Sequence, residues 1–339
     1  MGDEAPTTNE RRCGFFFKRR RPTNDQFAVQ PADSNRGLID RSRFTMALRR
    51  LILRRGPVCR QQCKHRWGQF ARHISSDSVL LNRSTSSPGI ATVTLNSPRT
   101  RNALSLGMLE RLGDIVAETS ADPDVRVVVV EAAGSDQTGV FCSGHNLKEI
   151  MATRTDRAAH ENLFRTCSDV MKAITLSPKA FICKVNGLAT AAGCQLVASC
   201  DLAFASPSSS FGTPGVNIGL FCSTPAVPIV RCIGSRRAMQ MLLTGDIIPA
   251  TKAEAWGLLT EVVAEDVLDT TVHEIAAKIA SKSGTAIAIG KPGFHAQAAA
   301  GDLDTAYEQA SHVMVENMMQ PDAEEGITAF LEKRAPHWQ

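Results

Sequence analysis

The chain has 339 residues, 43% hydrophobic and 21% charged, enough for one ordinary globular core or two small ones. No apolar run approaches the roughly 18 residues that cross a bilayer, so no membrane span is expected. The formal charge of +4 is uneven: residues 1–76 hold 17 of the 38 Lys and Arg but 6 of the 34 Asp and Glu, and the acidic remainder argues against a nucleic-acid partner.

In chain order, residues 1–45 mix bases with Asp3, Glu4, Glu10, Asp25, Asp33 and Asp40. They are expected to be a disordered N-terminal extension, with Met46 as the usual start. Residues 46–76 contain Arg49, Arg50, Arg54, Arg55, Arg60, Arg66 and Arg72 and no acid, while Leu48, Leu51 and Ile52 share one helical face. Arg-rich, acid-poor and amphipathic is the composition of a mitochondrial transit peptide, drawn inward by the membrane potential, and it predicts a matrix location. A disordered basic tail would share that composition.

Ile90–Asn96 reads as a short strand ending at Pro98. Leu104, Met108, Leu112, Ile115 and Val116 recur at helical spacing, with Asn102 as the expected cap. After the turn Asp122-Pro123-Asp124, Val125–Glu131 gives the strongest strand pattern. Further strands are expected at Phe181–Val185, Asp201–Ala205 and Ser210–Phe211. Helices are expected at Glu161–Leu176, Ala191–Ser199, Arg236–Leu243, Lys252–Trp256, Val267–Ser281, Leu303–Met318 and Glu324–Lys333. Strands alternating with helices predict an α/β fold. The signatures GxxxxGK[ST], GxGxxG and GxSxG are all missing, which removes the P-loop, dinucleotide-binding and α/β-hydrolase readings.

Of ten Cys, Cys142, Cys167, Cys183, Cys194, Cys200, Cys222 and Cys232 follow residue 76, scattered through apolar stretches. Their odd number and setting predict buried reduced thiols rather than a disulfide framework. Cys59 and Cys63 lack a second Cys or His pair at zinc spacing, so no metal is expected.

Five blocks occur in order over about residues 88–338. The first pairs Asn96-Ser97-Pro98-Arg99 with Arg101-Asn102-Ala103-Leu104, and the second runs from Phe141 to Glu149. The third runs from Val185-Asn186-Gly187 through Ala191-Ala192-Gly193-Cys194-Gln195-Leu196 to Cys200-Asp201. The fourth is Phe211-Gly212-Thr213-Pro214 to Gly219, and the fifth Glu325 to Arg334. Together they resemble the enoyl-CoA hydratase/isomerase (crotonase) superfamily. The resemblance implies a crotonase spiral of ββα repeats over residues 77–300, then a helical region over 301–339 that builds a homotrimer or hexamer. It further implies an acyl-CoA or enoyl-CoA thioester as substrate or ligand, no permanently bound cofactor, and a place in fatty-acid metabolism.

Mapped onto these blocks, the backbone N–H groups of His145 and Ala192 would form an oxyanion hole for the thioester oxygen. Ser143-Gly144 permits a tight turn, and Ala191-Ala192-Gly193 opens a helix with small side chains. One such donor typically contributes about 3 kcal/mol in the transition state. Read separately, each stretch is equally a plain turn or a packed helix start. The resemblance also assigns CoA contacts to Arg101, Ala103, Ser143, His145, Asn146, Leu147 and Lys148, with Arg99 as an alternative to Arg101 at a phosphate. Phe330 and Lys333 match positions that close over CoA, often from a neighbouring subunit. Asn146 stands where many relatives have Asp.

The departure lies in the acid–base pair. A hydratase uses two carboxylates to hold water and move its protons. The two matching positions here are Gln195 and Gly215, and a third used by some relatives is Ser223. Glu149 is the one conceivable stand-in, and a solvated helix charge explains it as well. Standard hydration is therefore expected to be weak or absent. The alternatives are a non-catalytic acyl-CoA-binding scaffold and a decarboxylase or thioester hydrolase that needs chiefly the oxyanion hole.

Overall fold

The structure, a computed structural model, describes residues 78–83 and 87–339. The expected extension (1–45) and transit peptide (46–76) lie outside the described residues.

Two sheets are wound together. The first has the order β1 (Val79–Arg83), β2 (Ile90–Leu95), β3 (Val127–Ala132), β5 (Ala180–Val185), β7 (Leu202–Ala205) and β10 (Glu261–Val262). β1 pairs antiparallel with β2, and every later pairing in this sheet is parallel. The second sheet has the order β4 (Val140–Cys142), β6 (Leu188–Thr190), β8 (Ser210–Gly212) and β9 (Ile247–Pro249). The chain lays one strand in the first sheet and one in the second, and then forms a helix. It does so as β3–β4 before α4 (Arg157–Thr175), β5–β6 before α5 (Ala192–Ser199), and β7–β8 before α6 (Ser223–Ile233). These three turns are the ββα spiral of the crotonase fold.

The central strands are apolar on both faces because both faces are covered, as parallel sheets require. Val128, Val130, Phe181 and Cys183 join the main core, which includes α1 (Leu106–Ala121) and α4. Val127, Val129, Ala180 and Ile182 face a second cluster containing Leu268, Val272 and Ala276 of α9 (Leu268–Ala280). The run Val127–Val130 is therefore continuously buried.

α1 begins later than its sequence pattern suggests. Ser105, not Asn102, is its N-cap, and the Ser105 hydroxyl accepts from Met108 N at 3.2 Å. Asn102 instead adopts a left-handed conformation (φ 51°) and is fully buried. The remaining helices are α2 (Ser135–Thr138), α3 (Leu147–Ala152), α7 (Ser235–Thr244), α8 (Ala250–Trp256), α10 (Gly284–Ala298), α11 (Leu303–Met318) and α12 (Pro321–Glu332). None of the described helices is long and apolar enough to cross a membrane.

α10 and α11 form a hairpin in which no residue is buried. One side chain fastens it to the spiral. Lys291 Nζ donates to Ile174 O (3.0 Å), Lys179 O (2.9 Å) and Asp201 Oδ2 (2.7 Å), and the Lys291 side chain is 9% exposed. Asp201 also accepts from Phe181 N at 2.7 Å, so one carboxylate ties β5 to the hairpin. Lys291→Met keeps the aliphatic stem but leaves Asp201 and two carbonyls without the ammonium. It is expected to cost about 2–3 kcal/mol, read as a lower urea midpoint at constant m. A midpoint within error of the parent would show that apolar contact alone holds the hairpin.

Candidate functional site

The site is built where the second sheet meets the start of α5. Residues 101–104 run beside residues 143–146: Ser143 N donates to Arg101 O (3.1 Å), Leu104 N to Gly144 O (2.7 Å) and Asn146 N to Leu104 O (3.3 Å). Leu104 and His145 thus form a parallel bridge, which points the N–H of His145 away from Leu104. Asn102 holds this pairing in place. Its Oδ1 accepts from Ser97 N (2.8 Å), and its Nδ2 donates to Ala133 O and Phe141 O (both 3.1 Å). Sequence reasoning treated Asn102 as a helix cap and so missed this positioning role. The signal available was an Asn set between Arg101 and Ala103, since Asn tolerates the left-handed region.

Gly144, at φ +88°, brings the two loops together. A Cβ there would lie 2.9 Å from Ala191 Cβ, 3.0 Å from Thr190 O and 3.3 Å from Ala192 N. Gly193 plays the matching part on α5, where a Cβ would lie 2.4 Å from Cys142 O. Ala191 is held at φ 49°, ψ −116° by its N–H bond to Gly212 O (2.9 Å), an unfavourable conformation for a residue with a Cβ. The amides of His145 and Ala192 lie on adjacent main-chain segments, and neither donates to an acceptor among the described residues. All eight residues of α5 are buried, so its N-terminal dipole acts in a water-poor setting.

His145 Nδ1 lies 3.3 Å from Leu104 O, which assigns its proton to Nδ1, and Nε2 is sealed without a partner. Burial pulls its pKa below the usual imidazole value, against a smaller opposing effect of the Leu104 carbonyl, and favours the neutral ring. The ring stands edge-on to Phe164, with centroids 5.2 Å apart. One turn further along α4, Cys167 Sγ lies 3.9 Å from Oε1 of the buried Gln195. Thr213, also fully buried, leaves Oγ1 unpartnered, a feature that the sequence did not single out.

Gly215 is buried, and a Cβ there would lie 2.6 Å from Leu220 O and 2.7 Å from Cys222 Sγ. The chain has closed over the space a side chain would need. Ser223 begins α6, with its hydroxyl donating to Phe221 O at 3.3 Å. Glu149 is engaged structurally: its two oxygens accept from Leu106 N at 3.1 and 3.3 Å at the start of α1. Asn146 caps α3, accepting from Lys148 N (3.1 Å) and Glu149 N (3.4 Å), so the amide does the capping work an Asp would do. Ala103 and Ser143 are half-buried in the paired loops, while Arg99, Arg101, Leu147 and Lys148 are exposed beside them. Phe330 and Lys333 are not brought here. Phe330 is 82% exposed on α12, Lys333 ends that helix, and no hydrogen bond joins either to residues 143–148. Among the described residues, no group of three or more His, Cys, Asp or Glu is placed to hold a metal.

A ββα spiral of this kind is shared with a large set of known proteins. The family model described as enoyl-CoA hydratase/isomerase matches residues 85–339, and the chain belongs to that family. Over 250 residues it is 48% identical to enoyl-CoA hydratase domain-containing protein 3, mitochondrial, of Rattus norvegicus, covering 74% of this chain and 81% of the relative. The crystal structure of the human protein of that name superposes with a TM-score of 0.72 at 45% identity, over 77% of this chain and all (100%) of that one. An enoyl-CoA hydratase structure from Mycobacterium smegmatis gives a TM-score of 0.73 at 44% identity, over 77% of this chain and 98% of its own.

Proposed function

We propose that this chain binds acyl-CoA thioesters in the mitochondrial matrix, as part of fatty-acid metabolism, through a backbone oxyanion hole formed by His145 and Ala192. The observation that carries the reading is the apposition of Gly144 to Ala191 and Ala192, which leaves two amides side by side without acceptors among the described residues. Such preorganised donors stabilise oxygen charge without reorganising during reaction. CoA would lie along residues 101–103 and 143–148. The Arg-rich composition of residues 46–76 and the mitochondrial names of the relatives support the location. Exposed apolar side chains on α11 and α12, including Leu303, Tyr307, Met318 and Leu331, support assembly into a homotrimer or hexamer. Such assembly would also give Phe330 and Lys333 a neighbouring subunit's CoA to cover.

Hydration is not the reaction this site favours. Gln195 cannot exchange a proton near neutral pH, and position 215 has no side chain. A positioned acid or base usually contributes about 10²–10⁴-fold, so hydration should run far below ordinary enzyme rates. The packing around Gly215 favours a second reading, a non-catalytic acyl-CoA-binding scaffold. Decarboxylation or thioester hydrolysis would also need chiefly the hole. The test is incubation with crotonyl-CoA, following enoyl absorbance, with a thermal-shift measurement in parallel. A clear shift with little hydration is expected. Rapid hydration would overturn the account of the missing carboxylates, and no shift with any acyl-CoA would remove the binding reading.

A further inference from the structure

A cavity of about 480 Å³ opens beside the site and is lined by Arg154, Thr155, Arg157, His160, Glu161 and Phe164. Phe164 connects the two. Its ring is edge-on to the imidazole of His145, whose amide belongs to the proposed hole. The helix α4 gives the direction. Cys167 touches Gln195, Phe164 touches His145, and His160 and Arg157 follow toward the N-terminal end. At about 1.5 Å per residue, Phe164 to Arg157 spans roughly 10 Å. A chain leaving the thioester past Gln195 and Phe164 would therefore end among these basic groups. Phe164 (38% exposed), with Met151 (60% exposed) on the neighbouring α3, offers apolar surface to the chain itself.

The rim is basic at its end. Arg157 is held by Glu161, Nε to Oε1 at 2.8 Å. The Arg154 guanidinium has no side-chain partner among the described residues, although its charge borders the cavity. A hollow lined by one aromatic ring and by one held and one unengaged guanidinium does not suit a saturated methyl terminus. It suits a carboxylate, which Arg can meet through two parallel N–H donors.

We propose that this cavity receives the far end of the acyl group and selects acyl-CoA thioesters that carry a terminal carboxylate. The inference rests on the acyl-CoA reading above and narrows its substrate class. The test is isothermal titration of the full chain with decanedioyl-CoA and decanoyl-CoA, which have acyl groups of ten carbons, long enough for that span, and differ at the terminus. Tighter binding of decanedioyl-CoA by about five- to tenfold is expected, since the pair is solvent-facing. In the double variant Arg154→Gln, Arg157→Gln the two affinities should converge to within twofold. Both replaced residues are exposed, so a circular-dichroism melt like the parent's is expected to accompany the change. Equal affinities in the parent, or a decanedioyl preference that survives the double substitution, would overturn this inference alone. Binding of neither thioester would overturn the acyl-CoA reading as well.

Discussion

Gly144→Ala is expected to weaken acyl-CoA binding at least tenfold and to destabilise the fold by about 2–3 kcal/mol. Two effects add at this position. A left-handed φ of +88° costs a residue with a Cβ roughly 1–2 kcal/mol. The new methyl would also lie 2.9 Å from Ala191 Cβ and 3.0 Å from Thr190 O, and backbone cannot yield as a flexible side chain would. Relief must part the loop from α5 and separate the amides of His145 and Ala192. Gly139 supplies the matched control: its φ is +65°, but a Cβ there meets nothing within 4 Å. Gly139→Ala should cost about 1 kcal/mol and leave acyl-CoA affinity within twofold. Urea denaturation and titration with one acyl-CoA decide the matter. Equal losses of affinity in both variants would show that apposition at Gly144 is irrelevant to binding.

Gly215→Glu, which places a carboxylate at the position the family resemblance assigns to one, is expected to yield no hydratase. Its Cβ alone would lie 2.6 Å from Leu220 O and 2.7 Å from Cys222 Sγ, before the carboxylate is placed. Overpacking and a poorly solvated charge should together cost about 3 kcal/mol. Gln195→Glu adds almost no volume, and burial would raise the pKa of the new carboxyl toward the range useful for proton transfer. The double variant should therefore remain within a few-fold of the parent in crotonyl-CoA hydration and melt earlier than Gln195→Glu alone. A double variant as stable as the parent and hydrating crotonyl-CoA rapidly would mean that residues 215–222 rearrange readily, contrary to the packing described.

Legibility followed length and periodicity. The pattern around Val125–Glu131 marked β3 because four consecutive valines bury on both faces. The long amphipathic helices α1, α4 and α11 were visible for the complementary reason. β6, β9 and β10 were not, since two or three residues carry no period, and β1 precedes the recognisable blocks. α6 was hidden by Pro225 and Pro228, which sequence reasoning treats as breakers. α10 was hidden by three glycines, Pro292 and apolar residues on every side. At the site, the loops bearing His145 and Ala192 were legible as motifs. Their mutual approach was not, because the distances at Gly144 and Gly193 depend on the fold. The roles of Asn102 and Lys291 were invisible for the same reason. Each acts on residues dozens of positions away.

Cys232 is exposed and Cys200 half-buried, contrary to the expectation of uniformly buried thiols, but burial makes three others chemically quiet in the folded state. Cys142, Cys167 and Cys194 have their ionisation pushed up to about 12 by desolvation, so almost none of the nucleophilic thiolate exists near neutrality. Alkylating or oxidising reagents reach these sulfurs only when the core opens. The rate at which such a reagent consumes them is then a clock for unfolding, carried by the native chain without any added probe.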